Sequence, residues 1–142
     1  MSDTYESDIL IWSEHQARLL RRIAAGELVN SADLDWPNIA EEIESVGRSE
    51  LRACEGLLRQ ALLHMLKAEA WPLSQAAAVW QAEAIRFRQE AADAFSPSMR
   101  QRIDVAKLYG QAIRQMPETV DGQPPLPVPE ACAVTLDELL AE

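Results

Sequence analysis

The sequence predicts an all-α protein, and three observations predict it. Apolar residues recur three and four positions apart along most of the chain, the spacing of amphipathic helices. Glycine and proline gather at a few places that punctuate those runs. No segment alternates apolar and polar residues as a half-buried strand does. The expected architecture is one helical domain spanning 1–142. It comprises an antiparallel bundle of four main helices (5–117) with a long central helix over 36–67, a proline-rich extended strap (118–134) and a short terminal helix (135–142).

Each element follows from particular residues. Tyr5, Ile9, Trp12, Gln16, Leu19, Leu20 and Ile23 share one face of a first helix, which Gly26 closes as a C-terminal cap. Asp35 then offers a side-chain cap, Pro37 fits a first helical turn, and no strong breaker follows until Pro72. The resulting second helix is about 48 Å long at 1.5 Å per residue, with a kink at Gly47 as the alternative. A third helix over 73–95 aligns Leu73, Ala77, Trp80, Ala84, Phe87, Ala91 and Phe95. A fourth follows the serines and proline of 96–98 and aligns Met99, Ile103, Ala106, Tyr109, Ile113 and Met116. The stretch DGQPPLPVPEA excludes regular structure and runs extended. TLDE then reads as a capping box of Thr135 and Glu138 that opens the last helix.

Composition bounds the function classes. The chain has 142 residues, 48% apolar and 25% charged, and none of its apolar runs approaches the ~20 residues of a membrane span. Its start, MSDTYESDIL, carries acids where a secretory signal carries bases. Cys54 and Cys132 form no paired motif and suit free thiols in a reducing compartment, so a cytoplasmic location is expected. The net charge of −10 belongs to the ends: residues 1–8 and 118–142 hold nine acids and no base, leaving fourteen acids against thirteen bases between them. No basic stripe forms, and nucleic acid is not an expected partner.

The segments YESDILIW, DLDWPNIAEEIESVGRSEL, LLHMLK and PEACAVTLDELL, in that order, resemble the bacterial domain-of-unknown-function family numbered twenty-nine. The similarity runs from about Tyr5 to Leu140, and NIAEEIESVGRSE is a distinctive block within it. The family tends to have a larger apolar residue at Ala40 and an aromatic soon after LLHMLK, where this chain has Ala68, Glu69 and Ala70 before Trp71. The resemblance implies an all-helical bacterial cytoplasmic protein and brings no established activity with it.

Candidate functional residues come from the second helix. Taking Ile43 as zero at 100° per residue, Ile39, Val46, Cys54, Leu57, Leu58, Ala61 and Met65 lie within about 60° and define its buried face. Glu41, Arg48, Arg52, Glu55 and Arg59 lie opposite. The pairs Glu44–Arg48 and Glu55–Arg59 have the favourable i,i+4 order, worth about 0.2–0.5 kcal/mol each, so most of this charge reads as a solvated, ion-paired face. His64, at the edge of the stripe, reads as a hydrogen-bonded boundary residue. Glu50 is the anomaly, because it points into the apolar face, where an unpaired carboxylate is costly. With Ile23 level with Ile39 in an antiparallel hairpin, Glu50 falls level with Trp12 and near His15. The expected cluster is therefore Trp12, His15 and Glu50, a register-fixing hydrogen bond in its structural version and a small polar pocket, with Glu42 at the rim, in its functional one.

Other chemistry lacks its signatures. Helical metal sites use Glu-x-x-His pairs, but Ala61 and Trp12 stand three residues before the two histidines, His64 and His15. No metal or other cofactor is expected. The five glycines never cluster into a phosphate loop, and no serine lies in a nucleophile elbow. Cys54 reads as an inert core thiol and Cys132 as the more accessible one. Trp71 reads as a packing residue, or as a contact surface if exposed. The leading expectation is a non-enzymatic interaction or regulatory protein whose partner is another protein or a second copy. The alternative is an enzyme or small-molecule binder built around Glu50, His15 and Trp12.

Overall fold

The structure is a computed structural model that describes residues 2–141. Among these residues it is all α: α1 (Ser2–Ser7), α2 (Ile9–Ala24), α3 (Trp36–Ala70), α4 (Ala77–Ala94), α5 (Val105–Gln115) and α6 (Leu136–Leu140), with 3-10 turns at Ser31–Asp33 and Pro97–Gln101. The chain forms two compact units, Met1–Arg48 and Ser49–Glu142. Residues 36–48 of α3 belong to the first and 49–70 to the second. The helix is unbroken through Gly47 over 35 residues, or about 52 Å.

Local chemistry explains where the other boundaries differ from expectation. The first helix is two, because the Asp8 side chain accepts the Ile11 N–H at 3.1 Å and starts α2 afresh as its N-cap. Gly26 ends α2 at φ +85°, with Glu27 N–H bonded back to Arg22 C=O, as a left-handed helix cap requires. The third helix begins at Ala77, since the Ser74 hydroxyl accepts the Ala76 N–H and holds a turn after Pro72. The fourth is delayed to Val105 by Asp104, whose carboxylate accepts the Lys107 N–H.

In the first unit, Trp12, Leu19, Leu34 and Ile39 form the buried core, with Tyr5, Leu20 and Val29 packed against it. In the second, α3 and α4 run antiparallel: the Cys54 thiol donates to Ala91 C=O, the His64 ring meets Phe87, and Lys67 lies over Trp80. Cys54, Leu58, Leu62, Leu66, Ala91, Met99, Ile103, Leu108, Tyr109, Ala112 and Leu139 build that unit's core.

The proline-rich segment is irregular apart from one bridge between Val120 and Gln123, around Asp121 and Gly122 at φ +53° and +74°, the pattern of a type I′ turn. It is pinned by Trp71 Nε1–H to Gln123 C=O (3.0 Å), Leu126 N–H to Ala70 C=O (2.9 Å) and Tyr109 O–H to Pro129 C=O. Thr135 and Glu138 form the expected capping box of α6. The expected end of this helix at Glu142 lies outside the described residues. Arg88 donates to the carbonyls of Glu138, Leu139 and Ala141, satisfying the C-terminal end of α6 as a helix end requires. Arg100 pairs with Asp137, and Leu139 is fully buried. Leu139→Ala is expected to lower unfolding free energy by about 2–5 kcal/mol, read from the urea denaturation midpoint.

Candidate functional site

The residues singled out in sequence fall into different surroundings. Trp12 is buried and its indole N–H donates to Asp35 Oδ2 at 3.0 Å. Asn38 Nδ2 donates to the same oxygen at 2.7 Å. Gln16, almost wholly buried, accepts the Asp35 N–H at 2.8 Å and donates to Asp33 C=O at 3.2 Å. Seven residues from Trp12 and from Asp35 respectively, the Tyr5 hydroxyl donates to Glu42 Oε1 at 2.7 Å, and the Tyr5 and Trp12 rings meet edge to face at 4.8 Å. These groups form a polar knot that joins α1 and α2 to the start of α3.

This corrects the expected cluster. Glu50 is exposed and belongs to the second unit; the carboxylate that receives the Trp12 indole is Asp35. The register is the physical reason. Residues 25–35 do not turn tightly but run back beside α2, where Gln16 holds Asp33, so Trp12 rather than Ile23 is level with the beginning of α3. His15 is half-buried and makes no hydrogen bond, ion pair or ring contact among the described residues. Glu42 is half-buried and accepts from Tyr5 and Ser45.

The remaining candidates have structural surroundings. His64 Nδ1 donates to Gln60 C=O at 2.7 Å, and its ring lies 5.2 Å from Phe87. Trp71 is buried, edge-on to Trp80 at 6.4 Å. Arg48 bridges Glu41 at 2.6 Å and Glu44 at 3.8 Å, whereas Arg59 turns to Gln111 instead of Glu55. Burial raises the Cys54 thiol pKa, with Glu55 adding to the shift. Among the described residues no three His, Cys, Asp or Glu side chains converge as a metal site would need, and no helix is long and apolar enough to cross a membrane.

The feature that sequence reasoning missed is an apolar surface. Ile43 at the centre of the expected buried face and Val46 at its edge are 68% and 65% exposed, and Trp36 is half-exposed on the same stripe. In the first unit α3 buries Ile39 of that face, as expected, and turns Glu42 towards Tyr5. Among its described residues this unit exposes eight large apolar side chains and buries four.

The Asn38 hydrogen bond, opposed by partial desolvation and assisted by Trp12, holds the Asp35 carboxyl below its usual pKa. A depressed carboxyl pKa contributes stability above the unfolded-state value and loses it as pH falls through the folded-state value. Asp35→Asn should therefore melt below the wild type at neutral pH, and the gap should close below about pH 4, as read by circular dichroism. Gln16→Leu strands the Asp35 N–H and Asp33 C=O, and should cost about 1–3 kcal/mol in chemical denaturation.

Comparison with known proteins agrees with this architecture. An α-helical protein of unknown function from Rhodospirillum rubrum, solved by crystallography, is 30% identical, superimposes with a TM-score of 0.70, and is matched over 98% of this chain and 90% of its own. No curated protein is significantly similar to the chain. The model of one family, described as the domain of unknown function DUF29, matches residues 4–142. The chain, all α among its described residues and matched over nearly its whole length, belongs to the DUF29 family.

Proposed function

We propose that the chain is a non-enzymatic protein–protein interaction module of the cytoplasm, and that its first unit carries the contact surface. The observation that supports this reading is the open stripe of α3, where Trp36, Ile43 and Val46 stand exposed on a unit with a small core. Covering such a stripe with a partner removes apolar surface from water at about 25 cal/mol per Å², the usual source of contact energy at an interface centre.

Charge indicates the partner. The first unit holds ten acidic and four basic residues, so two copies brought face to face repel each other. A protein whose apolar surface is rimmed by lysine and arginine meets the opposite situation, and its encounter is steered by the field. The Trp12 indole is engaged by Asp35 and Glu50 is exposed, which supports the contact-surface reading over a polar pocket built on those side chains.

The double substitution Ile43→Asp, Val46→Asp tests the proposal. Both side chains are exposed, so thermal stability should change by less than about 0.5 kcal/mol per position. Affinity capture from the native host at low salt should recover a basic protein with the wild type and at least tenfold less with the variant. Equal recovery by both proteins counts against the surface. A wild-type dimer in light scattering that the substitutions dissociate would make a second copy the partner.

A further inference from the structure

Beyond that interaction surface, we propose that the second unit contains a binding pocket for a small organic cation, an ammonium group carried on an apolar body. The pocket lies between the turn after α3 and the turn in the proline-rich segment. Its volume is about 260 Å³, just below the range of about 300–1,000 Å³ that drug-sized ligands occupy. Trp71 and Pro72 line one side, and Val120, Pro124 and Leu126 the other. At this pocket Leu73 is 97% exposed and Leu126 54% exposed. Two large apolar side chains left open to water at one concavity are what an apolar ligand would cover.

The frame is set before any ligand arrives. Trp71 Nε1–H to Gln123 C=O and Leu126 N–H to Ala70 C=O tie the two turns together, and the reciprocal bonds between Val120 and Gln123 close the second turn on itself. A preformed wall spares a ligand the cost of ordering it.

The charge of the pocket selects the ligand. Asp121 is the one ionisable residue in the lining. Its φ of +53° is a conformation aspartate tolerates better than most non-glycine residues, and the turn places its carboxylate at the pocket. Oδ2 accepts the Ser74 hydroxyl at 3.1 Å, leaving carboxylate acceptor capacity for a further donor. A carboxylate beside apolar walls favours a cation over a neutral or anionic group of the same shape.

The experiment is a ¹H–¹⁵N correlation titration of the full chain with n-hexylammonium, 1-hexanol and hexanoate. Hexylammonium should shift the Trp71 indole, Ser74 and Gln123 signals saturably, about tenfold more tightly than hexanol, with hexanoate weakest. In Asp121→Asn the gap between amine and alcohol should disappear while hexanol binding remains. Asp121→Gly, equally compatible with the left-handed backbone, should behave the same way and separates a lost charge from a disturbed turn. Equal binding of amine and alcohol by the wild type overturns the proposal. So does a gap that survives both substitutions, the absence of saturable shifts at these groups, or shifts confined to the first unit.

Discussion

The structure of the first unit depends on the carboxylate of Asp35. It accepts from Trp12 and Asn38 through one oxygen, while the backbone N–H of the same residue is held by Gln16. Buried polar groups without partners cost about twice what a satisfied bond contributes, so this set of donors and acceptors favours one register of α2 against the start of α3. Apolar packing alone is more permissive, because leucine and isoleucine faces slide past one another at modest cost. The knot thus decides which side of α3 meets α2, and it selects the side bearing Ile39 and Glu42.

A consequence appears on the stripe of α3 that contains Ile43 and Val46. The same stripe continues into Cys54, Leu57, Ala61 and Met65, which are buried or half-buried within the second unit. In the second unit it is core or core edge; in the first, Ile39 is buried but Ile43 and Val46 lie at the surface. A helix whose apolar stripe is longer than its own chain covers is a familiar way to present a contact surface without a loop. The rigidity of an unbroken helix keeps the ordering cost of that contact small.

In the second unit the polar bonds act at the ends of elements rather than in their middles. Arg88 closes α6, Asp104 opens α5, and Trp71 and Tyr109 hold an otherwise irregular segment by its carbonyls. A proline-rich stretch has few N–H groups to bond with, so side chains from the helices must supply the donors. That is why the segment lies where tryptophan and tyrosine can reach it, and why a concavity remains beside Trp71.

Much of this was legible in the residues. The helical class, the long α3, the Gly26 stop and the Thr135–Glu138 capping box all follow from local spacing and capping chemistry, which acts within a few residues and is therefore written in the sequence. A hydrogen bond from Trp12 or His15 to a carboxylate was legible as an expectation, drawn from Glu50. Which carboxylate serves was not. That choice rests on the path of residues 25–35 back along α2, a loop whose course no periodicity encodes. The exposure of Ile43 and the pocket beside Trp71 are likewise tertiary outcomes. A hydrophobic pattern states which side chains gain from burial, whereas only the assembled chain determines which of them find a neighbour.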